Sequence, residues 1–261
     1  MNYKIIRAVL IFFALSSCRQ LFAQTWFYLE GDHFIIEQNW KDEDFAKKLL
    51  TTAESDLERI LARLDYEKPK ALWRGKNRIT IVIFEREADF HQVGASPDWV
   101  AGYANYQAKT ISSYKTSKGF FSSTIPHEIA HLVLYDLTET YGNVPRWLHE
   151  GFAISSEDEL RSDLEAALKT SASQGKLLPL VLLTIVDPKQ QDAGGAMIYY
   201  AESQAFVRFL IDRNGPKRFQ NLILELAKGA SFEEAVQKSY EGVGGTLSEI
   251  EGQFLSELNP K

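Results

Sequence analysis

The sequence predicts an α+β fold, in which a mixed β-sheet near the N-terminus precedes a second lobe that is almost entirely helical. Two observations favour this class. Short runs of β-branched and aromatic residues occur before residue 115, whereas apolar residues after residue 157 recur at helical spacing. The 261 residues, 45% of them hydrophobic, are enough to bury a substantial core in two lobes that share one cleft.

The N-terminal region is predicted to alternate strands and helices. Residues 27–38 are expected to be extended, and residues 42–64 to form a helix because their apolar positions follow helical spacing. The continuous β-branched run at 78–84 predicts a strand that is covered on both faces. The next elements are expected to be a helix, a turn and two adjacent strands, at 87–92, 94–98 and 100–114.

Helices are expected to dominate the remainder. Residues 157–173 are predicted to form a surface helix, and 177–186 an apolar linker that crosses Pro179. A helix at 196–212 should end at Asn214-Gly215-Pro216, since glycine and proline terminate helices. Two or three more amphipathic helices are expected, around 217–227, 231–240 and 247–258.

One motif points to a metal site. The run His127-Glu128-Ile129-Ala130-His131 places two imidazoles four residues apart, on one face of a helix, with Glu128 beside them. Glu150, nineteen residues after His131, can supply a third ligand from a second helix. Catalytic zinc has three protein ligands and one open position, so His127, His131 and Glu150 are expected to bind one Zn2+ ion.

The surroundings of the motif favour a buried helix. Its neighbours Ile129, Ala130, Leu132, Val133 and Leu134 are apolar, as the floor of a cleft requires. Pro126 is tolerated only in a first turn, which predicts a helix start near residues 123–125. An oxygen-bearing side chain is expected to cap that start, and the candidates are Ser122, Ser123 and Thr124.

These residues resemble the gluzincin metallopeptidases, in particular the bacterial peptidase MA-like group. His127, Glu128 and His131 match the zinc helix of that family, and the run from Trp147 to Ala153 matches its W-L-x-E-G-x-A helix. The resemblance extends from about Trp26 to the C-terminus. It implies a zincin-like fold, with lobes 24–156 and 157–261 in one domain, and a zinc peptidase that acts on peptides or proteins.

The resemblance also implies catalytic roles. Glu128 would take a proton from water and return it to the leaving amine. Tyr200 matches the position where related enzymes carry a tyrosine opposite the metal, from which a phenol can donate to the developing oxyanion. Packing in an amphipathic helix is the alternative role of Tyr200, and Tyr199 is the competing choice for the donor.

Zincins pair an extended substrate with a strand at the border of the cleft, and Gly102–Tyr106 is the candidate for that strand. An interior strand, or an edge unrelated to the substrate, is the alternative. Aminopeptidase relatives carry an acidic residue in a G-A-M-E-N strand, and the run at 102–106 has none. An endopeptidase-like activity is therefore favoured over an aminopeptidase.

His149 is an alternative ligand, and Asp136 or Glu157 could orient the histidines.

Residues 1–23 are predicted to be a secretory signal, so we expect export from a bacterial cell. Lys4 and Arg7 precede an apolar run at 8–15 that is too short to span a bilayer. Two kinds of processing remain open, namely cleavage after Ala23 and lipidation of Cys18 in the lipobox-like run that ends there. An ordinary N-terminal helix is the structural alternative.

Net charge narrows the choice of partners. The formal charge is −6, and removal of the leader would make it more negative by three, through the loss of Lys4, Arg7 and Arg19. A negative net charge repels nucleic acids and anionic membranes, so neither is an expected partner. The chain after residue 23 contains no cysteine, so a disulfide framework is excluded there.

Two other classes of protein remain open. One is an exported binding or scaffold protein that retains a zincin fold without activity. Such a protein would be expected to lack Glu128 or one of the three expected ligands, and the sequence retains all four residues. The other is a cell-envelope lipoprotein with a structural zinc, which metal removal would unfold.

Overall fold

The computed structural model describes residues 25–67, 72–94, 100–139, 143–158 and 161–258. The predicted leader, the lipidation candidate Cys18 and residues 95–98 of the predicted turn lie outside this set. Two compact units are present. The first comprises the described parts of Met1–Leu57 and Lys68–Glu128, and the second those of Glu58–Glu67 and Ile129–Lys261.

A five-stranded mixed sheet forms the first unit. Its strands, in the spatial order β1-β2-β3-β5-β4, are β1 (Phe27–Glu30), β2 (Phe34–Gln38), β3 (Ile79–Phe84), β5 (Thr110–Tyr114) and β4 (Gly102–Asn105). The pairs β2–β3 and β3–β5 are parallel, and the outer pairs β1–β2 and β4–β5 are antiparallel. The candidate substrate strand at 102–106 therefore coincides with an edge strand, β4.

The two faces of the central strand β3 are covered unequally. Ile79, Ile81 and Ile83 are fully buried on one face, whereas Thr80 and Val82 are only partly buried on the other. A small aromatic cluster covers part of this second face and includes Phe84, Phe90 and Tyr114. The prediction of full cover on both faces was therefore too strong, because side chains alternate between faces that are packed to different depths.

Two helices belong to this part of the chain, α1 (Glu43–Arg63) and α2 (Glu87–Gly94), close to their predicted positions. A partly buried contact ties α1 to the turn before β2, since the His33 backbone N–H donates to Glu54 Oε1 at 2.9 Å. The His33 Nδ1 atom lies 2.5 Å from Glu54 Oε2. In the turn between β1 and β2, a side chain at Gly31 would collide with Leu50, so the turn lies directly against α1.

Helices make up the second unit. Helix α3 (Ile125–Thr138) begins in the first unit and continues in the second. The others are α4 (Arg146–Ser155), α5 (Ser162–Ser173), α6 (Leu180–Ile185), α7 (Ala193–Asn214), α8 (Pro216–Ala227), α9 (Phe232–Ser239) and α10 (Leu247–Leu258). These helices and the sheet confirm the predicted α+β class. Among the described residues, no helix combines the length and hydrophobicity needed to cross a bilayer.

One predicted linker is helical. Residues 177–186 were expected to lack regular structure, but α6 begins directly after Pro179 and buries Leu180 and Leu183. Proline has no N–H to donate and is therefore well suited to a position before a helix. Two carboxylates fix the entry to α6, because Glu202 accepts from Leu178 N and Glu251 accepts from Leu180 N. Burial raises the pKa of Glu202 to about 7.

Helix α7 is central to the second unit and packs closely against α4. The Asp192 side chain caps its start by accepting from Gly195 N at 2.7 Å. The predicted stop is confirmed, since Gly215 has a φ of 86° after Asn214 and Pro216 begins α8. At the crossing with α4, a side chain at Gly151 would overlap the carbonyl oxygen of Ser203. The backbones of the two helices are thus in direct contact beside Glu150.

Candidate metal centre

A glycine and a short π-helical turn precede the helix that carries the two histidines. A π-helical turn, Phe120–Thr124, leads directly into α3 at Ile125. Gly119 precedes this turn with a φ of 65°, and its carbonyl oxygen accepts from Ser123 N at 2.7 Å and Thr124 N at 3.0 Å. The predicted start near residues 123–125 is confirmed, and the three candidate capping residues lie within the π-helical turn. His127 and His131 then lie one helical turn apart.

Helix α4 presents the third donor. It follows Pro145, and its buried face includes Trp147, which lies against Phe206 and Phe232. The Trp147 indole N–H also donates to Thr184 Oγ1 at 3.3 Å. Glu150 differs from its buried neighbours, because 16% of its side chain remains accessible. The apolar face fixes the rotation of α4, and that rotation directs the Glu150 carboxylate away from the core.

The three predicted donors come together. One ligand atom from each of His127, His131 and Glu150 lies within 4.8 Å of the other two, and all three side chains are partly exposed. The His131 Nε2 atom is 3.9 Å from Glu150 Oε2. Among the residues that the structure describes, this is the one cluster of three or more potential ligands. Two imidazoles and one carboxylate match the donor set of a catalytic zinc site, and the accessible side leaves room for a further ligand.

Glu128 lies next to this cluster in the chain. Its side chain is buried, with 8% of the residue exposed, and it belongs to the first turn of α3. One helical position separates it from His127, which turns it about 100° around the helix axis. A carboxylate there is adjacent to the donors without being one of the three that the structure groups.

The two candidate tyrosines occupy different environments on α7. Tyr199 is fully buried, whereas Tyr200 is only partly buried. Both lie within electrostatic range of Arg146. Burial raises the pKa of both phenols, and the negative charge of Glu150 raises each further. Both rings are therefore within electrostatic range of the Glu150 carboxylate. Their rings contact each other edge to face, with centroids 5.5 Å apart.

Arg146 and Asp187 also belong to the surroundings of Glu150, and the sequence alone did not reveal them. The Arg146 Nε atom is 3.4 Å from Glu150 Oε1, and its Nη1 atom is 3.5 Å from Asp187 Oδ1. The only sequence signal was the spacing of four residues between Arg146 and Glu150, which brings side chains together on a helix. Asp187 lies 37 residues after Glu150, and no local pattern connects them.

The other residues considered for this site have different surroundings. His149 is buried, and desolvation lowers its pKa to about 4, so the ring is neutral at pH 7. The group of potential ligands does not include it. Of the two carboxylates proposed to orient the histidines, Asp136 accepts from the Tyr66 hydroxyl at 3.1 Å. Glu157 lies 3.8 Å from Arg161 Nη1.

Comparison with known proteins agrees with this arrangement. No match is found among curated proteins. The family model of the Peptidase MA superfamily matches residues 61–253, which include the donors on α3 and α4 as well as the helices that follow. This match and the mixed sheet followed by helices confirm the zincin-like fold predicted above. Because the match covers well over half of the sequence, the chain belongs to the Peptidase MA superfamily.

Proposed function

We propose that this protein is an exported zinc peptidase of the gluzincin type, with endopeptidase-like activity. The observation that carries the proposal is the cluster of His127, His131 and Glu150 donors, within 4.8 Å of one another, in a chain of the Peptidase MA superfamily. Membership of the superfamily supports a metallopeptidase. The two-histidine, one-carboxylate donor set favours zinc as the metal.

The side chains would divide the reaction between them. When bound by His127, His131 and Glu150, zinc supplies a Lewis acid that activates water and polarises a carbonyl group. Glu128 accepts a proton from the attacking water and later delivers it to the leaving amine. The Tyr200 hydroxyl donates a hydrogen bond to the carbonyl oxygen as negative charge develops on it. Burial of Glu128 limits competition from bulk water for its carboxylate.

The substrate we propose is an extended peptide or an unfolded segment of a protein. In the described part of the chain, β4 has a neighbouring strand on one side only, so its other edge offers backbone groups to a partner. A peptide that pairs with this edge would be held mainly through its backbone. The stretch 102–106 contains no acidic side chain to hold a free amine, which favours cleavage within a chain.

Export is proposed from the leader at 1–23, with release after Ala23 or anchoring through lipid on Cys18. The two outcomes differ in mass and in behaviour. Intact mass spectrometry of the protein from its native envelope would give a chain that begins at Gln24 in the first case. In the second case, the chain would begin at Cys18, carry acyl groups and partition into detergent.

The decisive experiment combines zinc analysis with peptide cleavage. The chain from residue 24 onward, its Glu128→Gln variant and a control, Glu165→Gln, would be incubated with a mixed peptide library. Glu165 is an exposed carboxylate on α5, so its replacement controls for loss of one surface charge. We expect one zinc per chain in all three proteins and cleavage by all except Glu128→Gln.

Two results would contradict the proposal. Absence of bound zinc from the unmodified protein would remove its basis. Stoichiometric zinc without cleavage of any peptide would favour a binding or scaffold protein that retains the fold. Cleavage that persists in Glu128→Gln would instead exclude Glu128 as the base.

A further inference from the structure

The two oxygens of the Glu150 carboxylate face different partners. The Oε2 atom is the one directed toward His131, at 3.9 Å from its Nε2 atom. The Oε1 atom lies 3.4 Å from Nε of Arg146, which is one helical turn earlier on α4. One carboxylate oxygen is therefore turned toward a histidine of the proposed metal site, and a positive charge lies beside the other oxygen.

Arg146 contacts more than Glu150. Its Nη1 atom lies 3.5 Å from Asp187 Oδ1, and Tyr200 lies within electrostatic range of its positive charge. A guanidinium group has five N–H donors in a rigid plane and can serve several acceptors at once. Arg146 thus links a proposed ligand on α4 to the turn that follows α6, and its charge also reaches a residue on α7.

Asp187 is itself held in place and can serve as an anchor. It precedes the short 3-10 turn Pro188–Gln190, and its Oδ1 atom accepts from Lys189 N at 3.0 Å. Its Oδ2 atom accepts from Gln190 Nε2 at 3.2 Å. Because backbone and side-chain donors fix this carboxylate, it restricts the position of the Arg146 guanidinium beside Glu150.

We propose that Arg146 is a positioning residue of the metal centre, held by Asp187, which occupies Oε1 of Glu150 and leaves Oε2 for the metal. Glu150 then binds the ion through one oxygen. This inference rests on the proposed zinc site. It assigns to Arg146 the orientation of a ligand, and it gives the Arg146–Asp187 pair a purpose beyond the stability of the fold.

The effect on metal binding can be separated from an effect on folding. Ion pairs at exposed positions contribute little to the stability of a protein. The Arg146 and Asp187 side chains are 41% and 42% exposed, so the pair belongs to this class. Residues that orient a metal ligand, by contrast, typically change metal affinity about 10- to 100-fold when they are mutated.

The test is zinc affinity, measured by competition with a chromogenic chelator, in the full chain from residue 24. We expect Arg146→Gln to weaken zinc binding roughly 10- to 100-fold and Arg146→Lys to restore part of it. The matched control is Arg208→Gln. Arg208 also faces a carboxylate four residues later, Asp212, at 3.9 Å, but that carboxylate is not among the donors. The control should bind zinc like the unmodified protein.

Cobalt substitution gives a second measurement that does not depend on activity. If Oε1 is released in Arg146→Gln, Glu150 can bind through both oxygens and raise the coordination number. The visible absorption of the cobalt protein should then weaken, because tetrahedral cobalt absorbs more strongly than five-coordinate cobalt. Asp187→Asn should move the spectrum in the same direction by a smaller amount. The Asp187→Asn substitution leaves the sequence of α4 unchanged, so this variant tests the inference even if Arg146→Gln folds poorly.

The outcomes distinguish this inference from the proposed function. Tight zinc binding and an unchanged cobalt spectrum in both Arg146→Gln and Asp187→Asn would overturn the role of Arg146 and leave the zinc peptidase intact. Failure of the unmodified protein to bind zinc would overturn both. Zinc binding that depends on Arg146 in a protein without peptidase activity would support the inference while contradicting the function.

Discussion

Tyr199 and Tyr200 are neighbours in the chain, but their hydroxyl groups lie in different surroundings. The Tyr199 hydroxyl is buried and has no hydrogen-bond partner among the residues that the structure describes. The Tyr200 side chain remains partly exposed. A donor to the substrate must be reachable from the cleft, so these surroundings favour Tyr200 for the catalytic role that the sequence left open between the two.

Phenylalanine substitutions provide a matched test of the two residues. Removal of one oxyanion donor typically lowers kcat about 100- to 1,000-fold. We therefore expect Tyr200→Phe to reduce kcat roughly 100-fold with little change in KM. Tyr199→Phe removes a buried hydroxyl without a partner, so we expect unchanged kcat and a gain in stability of up to about 1 kcal/mol. Steady-state kinetics and thermal denaturation of both variants measure these effects.

The reverse pattern of kinetic effects would assign the catalytic hydroxyl to Tyr199 instead of Tyr200. A large loss of kcat in Tyr199→Phe, with Tyr200→Phe near normal, would make Tyr199 the donor and show that the buried hydroxyl becomes accessible when substrate binds. Equal, small effects in both variants would exclude a catalytic phenol from α7. In that case both residues would serve only in packing.

The sequence indicated the three candidate donors, but it did not reveal that Arg146 and Asp187 lie beside them. The difference has a physical reason. Residues four apart on a helix must lie on one face, so spacing alone brought His127 and His131 together. To bring Glu150 near the two histidines, the chain needed only to form a second helix soon after the first. Asp187 comes near Arg146 through the packing of α6 and the turn after it, which depends on many weak contacts distributed along the chain. No short pattern encodes such an approach.

At the scale of whole elements, the close crossing of α4 and α7 holds Glu150 in place. Glycine within a helix normally costs about 1 kcal/mol relative to alanine. Here Gly151 allows the two backbones to touch, because an added Cβ atom would lie 2.6 Å from the carbonyl carbon of Ser203 and 2.8 Å from Val207 Cγ2. The steric requirement therefore outweighs the helix preference at this position.

Gly151→Ala tests this crossing against Gly252→Ala. A Cβ atom at Gly252, on α10, would meet nothing within 4 Å. We expect Gly252→Ala to stabilise the protein by up to about 1 kcal/mol. Gly151→Ala should destabilise it by about 1–3 kcal/mol through overpacking and should weaken zinc binding as Glu150 moves. Urea denaturation and zinc competition measure both effects. Stabilisation by Gly151→Ala would show that α4 can separate from α7 at no cost.

Element types were easier to predict than the details at element ends. Long amphipathic stretches such as α1 and α8 were identified correctly, because burial of one face requires regular apolar spacing. Helix α6 was missed since six residues provide less than two turns of periodicity. The start of α3 was predicted correctly, but the π-helical turn before it was not. Ser122 to Thr124 lie in that turn, which follows the left-handed Gly119, and no short sequence pattern indicates a π-helical turn.

At the scale of the whole molecule, the question is whether the proposed zinc ion would stabilise the fold or only complete the site. The three donors are partly exposed, whereas the second unit has a core of fully buried aromatic and aliphatic side chains, including Trp147, Phe206 and Phe219. Sites that supply folding energy outright are found mainly where no such core exists. The structure therefore favours a metal that can be removed without loss of the fold.

Removal of the metal should abolish the proposed peptidase activity without unfolding the protein. After dialysis against a chelator, we expect the far-UV circular dichroism spectrum at 25 °C to be unchanged and peptide cleavage to disappear, then return with added zinc. Zinc at a free concentration of 100 times Kd stabilises the folded state by about 2.7 kcal/mol. For a domain of this size, Tm should therefore fall by roughly 5–10 °C in the metal-free protein. Loss of the helical signal together with zinc would contradict this expectation, because it would make the donors part of a structural site on which the packing of α3 against its neighbours depends.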